Sequence, residues 1–262
     1  MGKGINKKVN LENHIHFQRL ASTSAYLKDL ATKYPAEELR NFLPPYFVVT
    51  ADEQDAGRGQ QGKKWESETG KNLLASFLLY PNTHPVKQFT VCQYISVALA
   101  EFIKEEFAIP NVHIKWANDI YIGDKKAAGI LIEHFIRGEN INYTIAGIGM
   151  NINQIEFPSH LPNPTSLCLE TGQEYDVNAC MKSLIEKIKQ TEKLPVAELK
   201  ARYLDFLYKK DVFADFILSK ISPISISLKI TGVSELGLLE LQDKNKHLYR
   251  CAFNEITYLH NE

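Results

Sequence analysis

Lys115-Trp116-Ala117-Asn118-Asp119-Ile120-Tyr121-Ile122-Gly123-Asp124-Lys125-Lys126-Ala127-Ala128-Gly129-Ile130-Leu131-Ile132-Glu133 contains two β-rich apolar runs on either side of Gly123-Asp124, a turn signal. Residues 112–116, 120–122, 127–135 and 143–153 are all β-like, and Gly138-Glu139-Asn140 separates the last two runs. Short connections of this kind predict neighbouring strands, so the centre of the chain is an antiparallel or mixed sheet. Upstream, residues 46–50 and 73–80 are further strand candidates. Ser22-Thr23-Ser24 would cap a helix over 25–34, in which Tyr26, Leu27 and Leu30 recur at helical spacing. Residues 86–107 place Phe89, Tyr94, Ile95, Leu99, Phe102 and Ile103 on one face of a helix long enough to cover a sheet. Downstream, 176–192 and 196–209 read as helices, and short strands at 224–230, 237–242 and 247–253 predict a small β-barrel-like module. The expected fold class is therefore α+β, with a domain over 1–210, a second over 211–262 and a boundary near Lys210.

Composition narrows the class of protein. With 262 residues of which 44% are hydrophobic, the chain can bury a sizeable core, so disorder is excluded as its dominant state. Lys and Arg total 30 against 31 Asp and Glu, which gives no basic field for non-specific nucleic-acid binding. Cys92, Cys168, Cys180 and Cys251 are scattered without metal-ligand or disulfide-framework spacing, as suits a reducing compartment. No run of apolar residues has membrane-spanning length and the first 13 residues are polar, so a soluble, cytoplasmic protein is expected.

Three segments carry residues suited to phosphate chemistry. Gly57-Arg58-Gly59-Gln60-Gln61-Gly62-Lys63-Lys64-Trp65 lies in a connection over 51–72 with almost no other apolar residue. Its glycines permit close backbone approach, and its cations can bracket phosphate oxygens. A loop of this length is usually functional or disordered, and here it is expected to be mobile and to close over a ligand. Trp65 serves either as the loop's anchor or as a face for an aromatic ligand such as adenine. Asn118 and Asp119 suit a turn as well as a ligand site, with Asp119 a candidate Mg²⁺ or ribose partner. Lys126 stands beside Ala127-Ala128-Gly129, whose small side chains leave a concave wall. Gly147-Ile148-Gly149-Met150-Asn151-Ile152-Asn153 puts two glycines in a strand, which a flat ligand on that strand, a bulge or a close helix contact would each explain. Neither GxSxG nor a usable His spacing is present. Joining a carboxylate to the α-phosphate of ATP needs neither, because the nucleophile is already anionic. The obstacle is repulsion of about 4 kcal/mol between unit charges ~4 Å apart at an effective dielectric near 20, which Arg58, Lys126 and Mg²⁺ would offset.

Taken in order, GRGxxGxxW, KWxND, the KxxG hairpin and GxGxNxN resemble the catalytic core of biotin–protein ligases, strongly over about residues 15–155 and weakly beyond. The resemblance implies a catalytic domain of the class II aminoacyl-tRNA synthetase/biotin ligase type, followed by a small SH3-like domain. It implies that biotin and ATP give biotinyl-5′-AMP, and that biotin then passes to a lysine of a biotin carboxyl carrier protein domain. Carried onto this chain, Ser22, Thr23, Ser24, Gln54, Arg58, Gly59, Gln60, Lys126, Gly129 and Gly147 would bind biotin. Arg58, Gln60, Trp65, Asn118, Lys126 and Asn151 would bind ATP or the adenylate, Asp119 would hold Mg²⁺, and Lys126 and Arg58 would be catalytic. The chain departs from the family pattern at four positions. Ser24 replaces the Asn of STN, Ala117 the Pro of KWPND, Lys63 an Arg, and Gln60 the second Arg of GRGR, a position expected to touch the adenylate. With few residues before the core, no winged-helix DNA-binding domain and no DNA partner are expected, and a homodimer is left open. Rival readings are a lipoate–protein ligase or octanoyl transferase, whose usual RRxSGGG-type loop or catalytic Cys this loop lacks, and a non-catalytic biotin or nucleotide sensor.

Overall fold

The structure, a computed structural model, describes residues 9–11, 13–62, 64–81, 83–220 and 222–259; Lys63 lies outside them. The chain begins with strands β1 (Val9–Leu11) and β2 (His14–Leu20), then helices α1 (Thr23–Ala31) and α2 (Leu39–Phe42). Strands β3 (Phe47–Gln54) and β4 (Leu73–Leu79) and the long helix α3 (Phe89–Glu106) follow. Next come β5 (Val112–Lys115), β6 (Asp119–Ile122), β7 (Lys125–Arg137) and β8 (Asn140–Met150). Helices α4 (Leu167–Thr171), α5 (Val177–Thr191) and α6 (Val196–Asp205) precede β9 (Phe213–Leu218), β10 (Ser222–Val233), β11 (Leu239–Gln242), β12 (Leu248–Cys251) and β13 (Ile256–Tyr258).

Eight strands form one sheet in the order β1-β2-β3-β4-β8-β7-β6-β5. It is mixed, since β2 and β3 run parallel while β3/β4, β4/β8, β8/β7, β7/β6 and β6/β5 are antiparallel. Side-chain alternation along these strands builds two layers. Ala146, Ile148 and Met150 of β8, with Ala128 and Ile130 of β7, join the core formed with α3, α5 and α6. Tyr143 and Ile145 face the other way, into a smaller apolar cluster with Leu27 of α1 and Val49 of β3. Gly147 and Gly149 continue that second face beyond the end of α1, and there the sheet is left open to a cavity.

The strand expectations hold within a few residues, with one correction. The connection expected over 51–72 is shorter, because β3 continues to Gln54. Strand β3 pairs with β2 as far as Leu20↔Gln54, so the ladder with its neighbour extends a strand that apolar patterning alone ends early. The small β module is a five-stranded antiparallel sheet in the order β12-β11-β10-β9-β13. Its inner residues Phe216, Leu228, Ile230 and Leu241 belong to the same core as α3.

Candidate active site

The cavity on the open face has a volume of about 430 Å³. One end is made by the start of α1. Ser22 is the N-cap, its side chain accepting from Ala25 N–H. Gln54 Oε1 accepts from the Thr23 N–H at 2.7 Å and from the Thr23 hydroxyl at 3.1 Å, so the carbonyl end of Gln54 is committed to the helix start. Thr23 Oγ1 and Ser24 Oγ each lie 2.8 Å from Ser76 Oγ, a fully buried hydroxyl on β4. Gly147 makes this network possible, because a Cβ there would lie 2.7 Å from Ser24 Oγ. The result is a compact, hydroxyl-rich end wall, able to hold a small polar head group by hydrogen bonds fixed in advance.

The floor is β7 and β8, and the Trp65 indole lies on it. A Cβ at Gly149 would fall 2.4 Å from Trp65 Cε2, and one at Gly129 would fall 3.0 Å from Trp65 Cζ3. The two glycines thus clear a bed for the ring, and Trp65 anchors its own loop. The loop is also tied by Trp65 N–H to Gly57 O at 3.0 Å and by the Arg58↔Lys64 bridge. Trp65 Nε1 is buried without a hydrogen-bond partner, so the indole still has a donor to offer.

Lys126 Nζ donates to Asp119 Oδ2 at 2.6 Å and stands 5.8 Å from the Trp65 ring centre. Its backbone is fixed from both sides, Lys126 N–H donating to Asn163 O and Thr165 N–H donating to Lys126 O. Arg58, Lys64, Lys115 and Lys126 line the cavity against Asp119 and Glu66, an excess of cations suited to polyanionic phosphate. Lys115 Nζ donates to Tyr121 OH at 3.2 Å, and burial pushes the Tyr121 phenol pKa upward, with Asp119 and Asp124 adding to the shift. Tyr121 therefore remains a neutral phenol.

Of the residues singled out in the sequence, Ser22, Thr23, Ser24, Gln54, Arg58, Gly59, Gln60, Trp65, Asp119, Lys126, Gly129, Gly147 and Asn151 all line this one cavity. Asn118 sits behind the wall, 3% exposed. Its Nδ2 donates to Ile130 O at 2.5 Å and its Oδ1 accepts from Gln60 Nε2 at 2.8 Å. Asn151 donates to Thr165 O at 2.8 Å, while its Oδ1 is buried and unpartnered. Gln60 Oε1 is unpartnered in the same way. Three buried polar atoms without partners around one cavity, on Gln60, Trp65 and Asn151, are what a polar ligand would satisfy.

Sequence reasoning missed the opposite wall. Phe157, Leu161, Pro162 and Pro164, from the segment after β8, line the cavity, and His160 Nε2 meets Glu66 Oε1 of the Trp65 loop at 2.8 Å. Phe253, between β12 and β13, also lines it, with its ring 5.7 Å from Trp116. Ser76 was missed too, though a serine inside Leu73-Leu74-Ala75-Ser76-Phe77-Leu78-Leu79 was a readable signal.

Comparison with known proteins agrees with this geometry. A family model described as the biotin/lipoate A/B protein ligase family matches residues 20–151. The bifunctional ligase/repressor BirA of Bacillus subtilis (strain 168) is 33% identical over 176 residues, 66% of this chain and 51% of that protein. Its namesake from Escherichia coli (strain K12) is 30% identical over 185 residues, 70% of this chain and 56% of that protein. The chain thus spans about half the length of these relatives. Among solved structures, the biotin protein ligase from Aquifex aeolicus in complex with biotin and ATP superposes with a TM-score of 0.74 at 24% identity, over 96% of this chain and 100% of that one. The biotin acetyl coenzyme A carboxylase synthetase from Helicobacter pylori superposes at 0.59 and 22% identity, covering 91% and 99% of the respective chains. The structural likenesses establish the fold, and the matched segment runs from the end of β2 through the Trp65 loop, Lys126 and the glycine strand to Asn151, which supplies the end wall and floor of the cavity. On that match the chain belongs to the biotin/lipoate A/B protein ligase family.

Proposed function

We propose that the protein is an ATP-dependent biotin–protein ligase, forming biotinyl-5′-AMP and passing biotin to a lysine of a biotin carboxyl carrier protein domain. The observation that carries the reading is the pairing, in one cavity, of a preset hydroxyl end wall with a cluster of cations around Lys126. Ser22, Thr23, Ser24 and Gln54 would take the ureido head, with Gly147 leaving room for it. The valeryl chain would run along the Gly129–Leu131 wall. A carboxylate oxygen then attacks the α-phosphorus, the bond from that phosphorus to the bridging oxygen breaks, and pyrophosphate leaves. Lys126 and Arg58 offset the charge of both partners, with Gly59 and Gln60 closing the loop above. In the second step the acceptor lysine amine attacks the anhydride carbonyl, AMP leaves and the amine loses a proton; proximity and exclusion of water supply much of the rate.

Trp65, Asn118 and Asn151 would bound the nucleotide. Among the described residues no group of three or more His, Cys, Asp or Glu is placed to hold a metal. The single carboxylate of Asp119 fits a Mg²⁺ delivered with the triphosphate rather than a resident ion, since Mg²⁺ in such sites takes one or two carboxylates plus phosphates. When bound, Mg²⁺ would neutralise charge on the triphosphate. We also propose a division into a catalytic domain over 1–210 and a small β domain over 211–262 that packs on the same core.

Lipoate is the rival substrate, because the matched family includes lipoate ligases. The polar end wall favours a ureido ring over a dithiolane, which offers no hydrogen-bond donors. No helix among the described residues is long and apolar enough to cross a membrane, in keeping with the proposal of a cytoplasmic enzyme. The balanced charge supports a proposal that DNA is not a partner. ATP–pyrophosphate exchange, run separately with biotin and with lipoate, tests the reading. Exchange with biotin is expected; exchange with lipoate alone, or with neither, would overturn it.

A further inference from the structure

Along β7, Gly129 and Leu131 line the cavity, Glu133 follows on the same face of the strand just beyond the lining, and two residues on Phe135 packs into the apolar cluster beneath α1. A carboxylate between a cavity wall and an apolar cluster is an expensive choice of residue. Its Oε2 is buried and accepts no hydrogen bond. The contact it has is with Arg58 Nη2, at 3.9 Å, an ion pair by distance but too long for a hydrogen bond. Arg58 meanwhile has its backbone bridged to Lys64 and its side chain 49% exposed at the mouth of the cavity. The loop backbone is placed; the guanidinium is not.

A guanidinium has five donors in a planar fork, so one edge can be held by a carboxylate while the other faces a second anion. The buried Glu133 oxygen lacks such a donor, and a substrate anion needs the remaining edge. We propose that Glu133 is the positioning residue for Arg58: when the loop closes on a bound anion, the Glu133 carboxylate takes one edge of the guanidinium in a hydrogen-bonded pair and aims the other at the substrate oxygens. Glu133 itself touches no reacting atom. The identity of that anion, the biotin carboxylate and the phosphate it attacks, rests on the ligase reading above. The pairing rests on the geometry alone.

The test has two arms. In the biotin-free protein saturated with inorganic pyrophosphate as the bound anion, phenylglyoxal modification of Arg58, followed by peptide mass spectrometry, should run about five-fold faster in Glu133→Gln, because the guanidinium loses the carboxylate that holds one edge. Equal rates would overturn the pairing, whatever the enzyme's substrate. In biotin-dependent pyrophosphate exchange, Glu133→Gln should raise the KM for biotin roughly tenfold while changing kcat less than about twofold, and Glu133→Asp should recover part of the loss. The same change in an Arg58→Ala background should add less than about twofold, since the two residues act as a unit. Additive losses would mean that Glu133 acts on the fold instead of through Arg58, and would overturn the proposal. If the wild type shows no biotin-dependent exchange, the ligase reading fails, and the labelling arm still decides the pair.

Discussion

Gly149→Ala isolates the seat of Trp65 from the stability of the sheet. The new Cβ would stand 2.4 Å from Trp65 Cε2 and 2.8 Å from both Cδ2 and Nε1, so the indole must withdraw by about 1 Å or more to reach ordinary contact. It cannot do so alone, because Trp65 N–H is bonded to Gly57 O and the loop is bridged at Arg58 and Lys64. Trp65 is half-buried, so roughly 100 Å² of ring area at ~25 cal/mol per Å² sets a ceiling of about 2.5 kcal/mol on the anchoring, or roughly 70-fold in the closed-to-open ratio. Strand β8 should tolerate the change, because Gly149 is not among the positive-φ glycines and Gly→Ala at a compatible position restricts the unfolded chain. The assay is trypsin cleavage after Lys64 in the ligand-free protein, alongside a thermal melt. Cleavage faster by up to about 70-fold is expected, with a fall in Tm of no more than about 10 °C, since the same ~2.5 kcal/mol is lost from the folded state, and Gly129→Ala, whose Cβ reaches Trp65 only at 3.0 Å, should act less. Unaltered cleavage in Gly149→Ala would refute the claim that the glycine bed holds the loop. A fall in Tm well beyond about 10 °C would show that the sheet, not the loop, had opened.

Lys126→Ala should lower biotin-dependent pyrophosphate exchange by about 10² to 10³ while costing at most about 1 kcal/mol of stability, since its pair with Asp119 is partly exposed; an undiminished exchange rate would exclude the role. Gln60→Arg should slow escape of preformed biotinyl-AMP roughly tenfold without speeding its formation, because a charged donor can keep the bond to Asn118 Oδ1 and add a contact to phosphate; identical off-rates would show that position 60 does not face the intermediate. His14, hydrogen-bonded to Thr50, has its pKa lowered to about 4, first by burial and then by His16 and Lys182. A histidine whose folded pKa is depressed contributes stability above its unfolded value near 6.5, and that contribution is lost as pH falls towards 4. Urea midpoints between pH 7 and 4 should therefore fall less steeply for His14→Gln than for the wild type, and parallel profiles would reject the assignment.

What could be read in the sequence followed from local physics. The strands around Gly123-Asp124 and Gly138 announce themselves by turn chemistry and β-rich runs, and the residues that line the cavity sit in glycine-punctuated loops beside them. What could not be read depends on pairing across distance. Strand β3 runs on to Gln54 because β2 lies beside it. Ser76 becomes part of the end wall because β4 is set between β3 and β8, facing α1. The wall from Phe157 to Pro164 has neither helical nor strand period, and its place over the cavity comes from tertiary bonds such as Lys126 N–H to Asn163 O. The two readings of Trp65, loop anchor or ligand face, were equally open in sequence; the spacing of Gly129 and Gly149 beneath the ring makes the anchor concrete without removing the free Nε1 from ligand reach.

The same geometry changes what Gln60 means. In sequence, glutamine in place of the expected arginine is a lost cation. In the folded chain it is the outer end of a relay whose direction is forced: Ile130 O can only accept, so Asn118 must turn Nδ2 towards it, Asn118 Oδ1 must then face Gln60, and Gln60 must present Nε2. Each amide orientation is fixed by the one before it. An arginine at position 60 would divide its donors between Asn118 Oδ1 and phosphate, whereas glutamine gives its contact to Asn118 without a ligand. Loop order in this chain therefore comes more from neutral hydrogen bonds and the seated indole than from the bound anion, and the lid should be partly closed before substrate arrives. On the ligase reading, charge compensation would then fall mainly to Arg58 and Lys126. The loop is also the setting for the proposal that Glu133 aims the Arg58 guanidinium, since its backbone is already tied between Arg58 and Lys64.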